Sequence, residues 1–362
     1  MVAGESQNLY NLQISSVSGA YEIVFTNFDS NIQSDTFYIV DSFFQKSLKL
    51  DSTRVVYIQA SEEAKTLNNA ETIMVNLSNK GMTKKHSLVV IGGGCVQDIG
   101  TLVASLYMRG IEWTFVPTTL AAMGDSCIGG KSSINVGPIK NLVGNFYPPK
   151  RVIVDSKFCQ TLPNLELIAG ISEIIKICFA RSENSFRQSA LIASLPNLKD
   201  ASNSLNELVY LSLSSKKYFI EADEFDTGIR KLLNFGHSFG HALESASNYQ
   251  IPHGVAVMLG MLAATHHPAA RKTGETTRLR DLCLEFLKQV SMEIENPLKT
   301  FAIADFSSAL KMDKKNTLED LVLVLPSKAG LILFSSPFSK GAIEHAQIAM
   351  ESARKEVLSE IR

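Results

Sequence analysis

Residues 230–254 read RKLLNFGHSFGHALESASNYQIPHG and contain three of the seven histidines of the chain. Apolar side chains recur at helical spacing between residues 232 and 243, so the pattern predicts a helix over most of this stretch. On such a helix His237 and His241 lie one turn apart on the same face. His253 follows a proline and precedes a glycine, so we expect it in a turn that folds back over the helix.

Three imidazoles that converge in this way are typical of a zinc-type site, which one carboxylate from elsewhere in the chain would complete. The alternative is a partly buried helix whose histidines only pack, and a lone i,i+4 histidine pair favours that alternative. Glu173 is the candidate carboxylate because it lies in an apolar helical segment, where an ionised group is costly unless it is paired or binds a metal. Lys176 falls on the same helical face, so an ion pair on the solvent side is the competing interpretation.

The composition excludes several classes of protein. A length of 362 residues allows two domains, and 45% hydrophobic with 20% charged residues indicates an ordinary soluble globular protein. The formal charge of −1 favours neither a nucleic-acid partner nor a membrane surface, and no apolar run approaches the roughly 20 residues that cross a bilayer. The N-terminus lacks the pattern of a signal peptide, and the five cysteines contain no CxxC pair. These features predict a cytoplasmic protein with reduced thiols.

The two parts of the chain differ in their predicted secondary structure. Up to residue 155, short runs rich in Val, Ile, Tyr and Phe alternate with helical segments, and SLVVIGGG (87–94) indicates a buried strand that enters a tight turn. This alternation predicts an open parallel sheet covered by helices on both faces. After residue 160, helical patterns dominate. We therefore expect an α/β Rossmann-like N-terminal domain over residues 1–160 and an all-α C-terminal domain over residues 161–362.

GGGCVQD (92–98) lies between a predicted strand and a predicted helix, where backbone N–H groups can bind a pyrophosphate. Gln97 stands where the full dinucleotide fingerprint has a glycine, so a purely structural turn is the alternative. Further polar groups follow other predicted strands and could contact a nucleotide or simply cap helices; they are Asp41, Glu62, Lys65, Thr118 and Thr119.

The stretch DSCIGGKSSINVGPIKNLVGN (125–145) places polar side chains among closely spaced glycines. Lys131 and Lys140 offer point charges suited to phosphate or carboxylate, and Asn141 adds directional hydrogen bonds. Arg109 lies at the end of the helix that follows the glycine turn. The pattern predicts a ligand-binding segment, with a solvated surface loop as the alternative.

Taken together, these stretches resemble the sugar-phosphate cyclase family and, within it, the 3-dehydroquinate synthases most closely. The resemblance extends from about residue 40 to 325 and is specific because the motifs occur in the order of the family. The matching pieces are GGGCVQD (92–98), YMRG (107–110), VPTTL (116–120), MGDSCIGGK (123–131), KNLVGNFYPPK (140–150), SEIIK (172–176), RKLLNFGHSFGHALE (230–244), HG (253–254) and DKKN (313–316).

The resemblance implies an NAD-binding domain, a helical domain and an active site between them. It implies a divalent metal, zinc or cobalt, held by Glu173, His237 and His253, which leaves His241 as a polar group near the phosphate or in proton transfer. The positions that match substrate contacts of the family are Arg109, Lys131, Asn141, Lys176, Lys216, Arg230, Asn234 and Lys314. The residues expected to bind NAD are Asp41, Glu62, Lys65, Gly93, Gly94, Cys95, Asp98, Thr118, Thr119, Asp125, Lys140 and Thr161.

The implied activity is the cyclisation of a heptulose 7-phosphate with elimination of phosphate, as a homodimer. The lysines and arginines among these substrate contacts suit a substrate with a carboxylate. They favour 3-deoxy-D-arabino-heptulosonate 7-phosphate as substrate and 3-dehydroquinate, of the shikimate pathway, as product. Three departures from the family pattern, Gln97, Val255 and Gly124, favour a related cyclase of secondary metabolism that makes an amino-dehydroquinate, valiolone or deoxy-inosose product. A metal-dependent polyol dehydrogenase is a further alternative, although a small neutral polyol does not need so many cations.

Overall fold

The computed structural model describes residues 10–17, 19–29, 35–137, 139–312 and 319–361. The chain divides into two compact units, one of residues 1–161 and 197–225 and the other of residues 162–196 and 226–362. The boundary expected near residue 160 separates the sheet from the helices that follow it. The segment 197–225, however, groups with the sheet, because its long helix packs against the short turn Ala122–Ser126 and the first strand.

In chain order, the described strands are β1 (Asn11–Ile14), β2 (Tyr21–Phe25), β3 (Thr36–Asp41), β4 (Val55–Ile58), β5 (Ser87–Gly92), β6 (Trp113–Pro117), β7 (Ile134–Val136), β8 (Ile139–Val143), β9 (Arg151–Val154), β10 (Asp320–Ser327) and β11 (Gly330–Pro337). The described helices are α1 (Leu67–Asn79), α2 (Gly94–Leu106), α3 (Asn164–Arg181), α4 (Glu183–Ala193), α5 (Ser202–Ala222), α6 (His237–Ala246), α7 (His253–His266), α8 (Gly274–Gln289), α9 (Ser291–Thr300), α10 (Ile303–Lys311) and α11 (Lys340–Glu360).

The first unit is built on a seven-stranded sheet in the order β1-β2-β9-β6-β5-β3-β4. The strands from β2 to β4 pair in parallel, and β1 pairs antiparallel with β2 at one edge. The apolar run in β5 is buried at the centre, which confirms the strand that the sequence predicts. Since parallel strands end at the same edge, Asp41, the glycine turn and Thr118 all follow strands at that edge.

The second unit is a helical assembly around α7. Every residue of α7 from Gly254 to Thr265 is buried, and α3, α6, α8 and α11 pack around it. This confirms the helical C-terminal domain. The unit also carries the antiparallel pair β10–β11, which the sequence analysis does not predict. No helix in the described ranges has both the length and the apolar character needed to cross a bilayer.

The helix expected over most of residues 230–254 is wrong in its first part. Residues Ile229–Asn234 form a 3₁₀ turn, Gly236 takes a φ of 77°, and α6 begins only at His237. His253 is not in a turn either, because it is the first residue of α7, after Pro252 as the N-cap. The apolar spacing suggested one continuous helix because it continues across the break.

Candidate metal and cofactor sites

Three imidazoles come together where α6 and α7 begin. The ring centroids of His237 and His241 are 5.3 Å apart, and His253 lies 5.3 Å from His237 and 5.4 Å from His241. One ligand nitrogen of each histidine lies within 4.8 Å of the other two. The rings are therefore close enough for one cation to bind them together.

Glycines allow the helices that carry these histidines to approach at backbone distance. A Cβ on Gly260 of α7 would lie 2.0 Å from the carbonyl oxygen of Gly236, just before α6. A Cβ on Gly254 would lie 2.3 Å from the carbonyl oxygen of Ala169 in α3. Because no side chain fits at either contact, α7 lies directly against α3 at its start and against the residue before α6 at its middle. This packing brings His253 close to the other candidate ligands.

Glu173 in α3 lies within this group although it is only 4% exposed. Its Oε1 atom is 3.4 Å from Nε2 of His253, and its Oε2 atom accepts a hydrogen bond from Nζ of Lys176. Lys176 is equally buried, so the pair does not face solvent. Oε1 has no hydrogen-bond partner among the described residues. A buried carboxylate oxygen without a partner is costly, and a cation between it and the imidazoles would satisfy it.

Hydrogen bonds orient two of the rings. Nδ1 of His253 lies 3.0 Å from Oε2 of Glu244, and Nδ1 of His237 lies 3.3 Å from the carbonyl oxygen of Phe235. Both contacts place the ring hydrogen on Nδ1 and leave Nε2 as the ligand atom. Burial lowers the pKa of His253, but the hydrogen bond and charge of Glu244, with the charge of Glu173, outweigh burial and raise it above its ordinary value.

The residues present fit a divalent cation. Imidazole nitrogens with one carboxylate are a donor set that Zn²⁺ and Co²⁺ accept, and the unpartnered oxygen of Glu173 points to such an ion. Glu173, His237 and His253 would hold it, as the resemblance implies. His241 lies as close to the other rings as they lie to each other, so the distances alone do not separate its role from theirs.

The remaining expected site residues of the helical unit precede α6 or lie outside the described residues. Arg230 is 4% exposed in the 3₁₀ turn, so a guanidinium is buried there. Nδ2 of Asn234 donates to the carbonyl oxygen of Lys231 at 3.1 Å. Lys314 and the rest of the DKKN motif lie outside the described residues.

In the first unit, the glycine turn has the form that a pyrophosphate requires. Helix α2 begins at Gly94, and no side chain of a described residue caps it. A Cβ on Gly93 would lie 2.8 Å from Cγ2 of Thr119, whereas no described atom lies within 4 Å of a Cβ on Gly94. The N–H of Thr118 bonds to the carbonyl oxygen of Gly92 at 3.0 Å and joins the end of β6 to the turn. An uncapped helix start with open space beside it suits an anionic cofactor.

Three of the expected cofactor residues form one network around the buried ammonium group of Lys65. Nζ of Lys65 contacts Oδ2 of Asp98 at 2.9 Å, Oδ1 of Asn141 at 2.8 Å and Oε1 of Glu62 at 3.5 Å. Asp98 also accepts hydrogen bonds from the backbone and hydroxyl of Ser133. Burial works to lower the pKa of Lys65, but the charge and hydrogen bond of Asp98 raise it above its ordinary value. Asn141, expected at the substrate, is part of this network.

Asp125 lies in the turn Ala122–Ser126, which is held by a buried lysine. Nζ of Lys216 in α5 is 2.6 Å from Oδ1 of Asp125, 2.6 Å from its carbonyl oxygen and 3.1 Å from that of Ile128. Lys216 was expected to contact the substrate. In the structure its ammonium group contacts oxygens of the chain and holds Asp125 in place.

The other expected cofactor residues are more dispersed. Asp41 accepts a hydrogen bond from the N–H of Phe43 at 3.0 Å, and Thr161 donates to the carbonyl oxygen of Phe158 at 3.2 Å. Burial raises the pKa of Cys95 to about 11, so it is a neutral thiol. Lys140 is exposed on β8.

Two expected substrate contacts, Lys131 and Arg109, lie on exposed segments of the first unit. Nζ of Lys131 is 5.8 Å from the centroid of the Phe146 ring. Met108 and Arg109 have φ values of 49° and 65°, a region that non-glycine residues rarely adopt and that often marks functional positions.

Solved structures with the same fold include two synthases and a probable dehydrogenase. A 2-deoxy-scyllo-inosose synthase complexed with carbaglucose-6-phosphate, NAD⁺ and Co²⁺ matches with a TM-score of 0.77 at 22% identity, covering 94% of this chain and 99% of that one. ValA, a 2-epi-5-epi-valiolone synthase from Streptomyces hygroscopicus subsp. jinggangensis with NAD⁺ and Zn²⁺ bound, matches with a TM-score of 0.75 at 20% identity, covering 92% and 97%. A probable glycerol dehydrogenase from Sinorhizobium meliloti matches with a TM-score of 0.58 at 14% identity, covering 90% and 91%. At these identities the likeness concerns the fold alone.

Comparison of sequences is more specific. Residues 55–169 match the family model described as 3-dehydroquinate synthase N-terminal, and residues 170–316 match the model of the C-terminal part. The 3-dehydroquinate synthase of Dictyoglomus thermophilum is 36% identical over 309 residues, which are 83% of this chain and 84% of that protein. That of Streptococcus pyogenes serotype M3 is 33% identical over 300 residues, or 81% of each. The chain therefore belongs to the 3-dehydroquinate synthase family within the sugar-phosphate cyclases and is a lyase of that family.

Proposed function

We propose that the protein uses NAD⁺ and Zn²⁺ or Co²⁺ to convert 3-deoxy-D-arabino-heptulosonate 7-phosphate to 3-dehydroquinate with loss of phosphate. Relatives that are 33–36% identical over more than four-fifths of the chain carry the name 3-dehydroquinate synthase. The observation that carries the proposal is the buried Oε1 of Glu173, unpartnered among the described residues and 3.4 Å from Nε2 of His253. It supports a cation site in which a sugar alcohol can be activated.

When bound, the cation supplies Lewis acidity that lowers the pKa of a substrate hydroxyl, and NAD⁺ supplies a reversible acceptor of hydride. In the reaction, a secondary alcohol is oxidised to a ketone, and the acidified C–H next to the ketone gives up its proton to a base. A double bond forms as phosphate leaves from the following carbon, after which the ketone is reduced again and the opened ring closes by an aldol step. The hydride removed is returned, so no net oxidation occurs. The reaction therefore needs both a cation site and a dinucleotide site, as proposed for the two units.

The residues of the chain have distinct proposed roles. Lys176 holds the carboxylate of Glu173 in place, because it donates to Oε2 and leaves Oε1 for the cation. His241, beside the ligand rings, moves a proton near the leaving phosphate. Arg230 supplies a buried positive charge for an anionic group of the substrate. In the first unit, Gly93, Gly94 and their neighbours bind the pyrophosphate, and Lys216 holds Asp125.

One assay separates this function from that of a polyol dehydrogenase, whose fold is also similar. The purified protein is incubated with NAD⁺, zinc or cobalt, and the heptulosonate phosphate, and both free phosphate and NADH absorbance are followed. A cyclase releases one phosphate for each substrate molecule without net accumulation of NADH. Accumulation of NADH without phosphate release would contradict the proposal.

A related cyclase of secondary metabolism is the second candidate. Val255 is fully buried at the position after His253-Gly254, where the family usually has Glu, and Glu244 supplies the carboxylate that contacts His253. Together with the departures at Gln97 and Gly124, Val255 indicates a site whose metal binding and specificity are altered. Mass spectrometry of the products from heptulose phosphates with and without a carboxylate distinguishes the two candidates. Turnover of the substrate without a carboxylate, and not of the heptulosonate, would favour the second.

We also propose that the enzyme acts in the cytoplasm as a homodimer, which the resemblance to the family implies. Light scattering of the purified protein measures its mass directly. A mass near 79 kDa, or roughly twice the 39.7 kDa of the chain, is expected. A mass of one chain at micromolar concentration would contradict the dimer.

A further inference from the structure

Gln97, a departure from the family pattern, has a specific partner. It lies in the first turn of α2 and is only 4% exposed. Its Nε2 atom donates to the carbonyl oxygen of Ser126 at 2.6 Å, and its Oε1 atom accepts from the hydroxyl of Ser126 at 2.5 Å. The side chain therefore joins α2 to the residue next to Asp125 by two hydrogen bonds. A glycine at position 97 could form neither bond.

The turn Ala122–Ser126 is also anchored by helix α5. Ser212 donates to the carbonyl oxygen of Gly124 at 2.7 Å, and Lys216 binds Asp125 through both its carboxylate and its carbonyl oxygen. Two anchors on one helix still allow the turn to shift together with that helix. The hydrogen bonds from Gln97 connect the turn Ala122–Ser126 to α2, and the glycine turn forms the start of that helix. The position of Asp125 relative to the glycine turn then becomes fixed.

We propose that Gln97 is a positioning residue that holds Asp125 at a set distance from the glycine turn and so determines the affinity for NAD⁺. This inference rests on the proposed function, in which that turn and Asp125 both bind the cofactor. Gln97 acts through Ser126. The amide is suited to this role because it donates and accepts at once, which matches the carbonyl oxygen and hydroxyl of one serine.

The test replaces Gln97 with methionine, which has a similar length and no hydrogen-bonding amide. Binding of NAD⁺ is measured by calorimetry on the full chain, and hydrogen exchange is measured over residues 122–128. In Gln97→Met we expect a dissociation constant for NAD⁺ about ten-fold higher, because two buried hydrogen bonds are lost. Exchange in the turn should become faster. Ser126→Ala removes only the hydroxyl, so the expected increase is about three-fold.

Gln347→Met is the matched control, because Gln347 donates to the hydroxyl of Ser307 at 2.6 Å in the helical unit. It loses a comparable Gln–Ser bond and should leave the NAD⁺ affinity unchanged. The inference is overturned if Gln97→Met and the unaltered protein bind NAD⁺ with equal affinity, or if the variant binds more weakly without faster hydrogen exchange. Either result leaves the proposed function standing. If Gln97→Met does not fold, Ser126→Ala decides by the same two measurements. Failure of the unaltered protein to bind NAD⁺ overturns the inference and the proposed function together.

Discussion

At Glu173 and Lys176, opposite charges are buried side by side, so the loss of one charge should affect both metal binding and stability. We predict that Glu173→Gln weakens zinc binding by about 100-fold or more, because even residues that only support a ligand contribute about 10–100-fold. The buried ammonium group of Lys176 would lose its ion pair with this carboxylate, which should destabilise the protein by about 3–5 kcal/mol. Zinc titration and urea denaturation measure the two effects.

A double variant separates these effects. Adding Lys176→Met to Glu173→Gln removes the second buried charge of the ion pair as well, so stability should recover in large part while zinc affinity stays low. Zinc affinity close to that of the unaltered protein in either variant would show that Glu173 is not a ligand.

Glu244 supports His253 from the ring nitrogen that faces away from the proposed cation. We predict that Glu244→Gln weakens zinc binding by about 10–100-fold, because the carboxylate that orients the ring and makes its Nε2 a more basic ligand is lost. Glu356→Gln is the matched control, since Glu356 contacts Nε2 of His266 at 2.6 Å elsewhere in the same unit. Competition with a chromogenic chelator measures both variants. Equal zinc affinities would contradict the supporting role.

Single residues also show where sequence reasoning reaches its limit. The histidines and Glu173 could be found, because their types and spacing are unusual. Glu244 was missed because an acidic residue in an amphipathic helix is ordinary, and its contact with His253 depends on a chain reversal over nine residues. Gln97 was noted only as a missing glycine. Its partner, Ser126, is 29 residues away, and no local pattern predicts that bond.

At the scale of elements, the close crossing of α6 and α7 should be sensitive to mutation. We predict that Gly260→Ala destabilises the protein by about 3 kcal/mol or more and weakens zinc binding, because its Cβ would lie 2.0 Å from the carbonyl oxygen of Gly236 and separate the helices. Thermal unfolding and zinc titration measure these effects.

Gly274→Ala is the matched control for this substitution. Gly274 is the first residue of α8, and no described atom lies within 4 Å of a Cβ there. Its effect on stability should stay within about 0.5 kcal/mol. If Gly260→Ala behaves like Gly274→Ala, the helices do not need their close contact to form the site.

The elements themselves were predictable to different degrees. The parallel strands of the sheet could be predicted because each is a short run rich in β-branched or aromatic residues. Strand β1 reads NLQI, lacks such a run and was not predicted. The break before α6 could not be predicted, because the left-handed φ of 77° at Gly236 leaves the spacing of apolar residues in the sequence almost unchanged. Strand β10 does carry a signal, since Leu321, Leu323 and Leu325 are buried at every second position. It was obscured because the region reads as helical on both sides.

At the scale of the whole molecule, His267 should make stability depend on pH. Burial lowers the pKa of His267 to about 4, with a smaller contribution from His345. An unfolded chain has a histidine pKa of about 6.5, so between these values the unfolded state binds more protons than the folded state. The contribution of neutral His267 is therefore lost as pH falls from about 6.5 to about 4, by at most about 3 kcal/mol.

The variant His267→Asn tests this dependence. Nδ1 of His267 accepts a hydrogen bond from the N–H of Ala269 at 3.2 Å, and an asparagine oxygen can accept the same bond without titrating. We predict that the free energy of unfolding of His267→Asn falls less steeply between pH 6.5 and 4 than that of the unaltered protein. Urea denaturation at several pH values measures the slopes. Parallel curves would show that His267 does not cause the loss.

All three proposed ligands of the cation come from helices of one compact unit, and the turn proposed for the nucleotide comes from the other. In this proposal, the metal ion and the nucleotide bind to separate parts of the polypeptide. The protein stripped of zinc should keep its nucleotide site preformed, and the protein without nucleotide should still bind zinc. Loading can then proceed in either order, and inhibitors aimed at either half need not compete with each other.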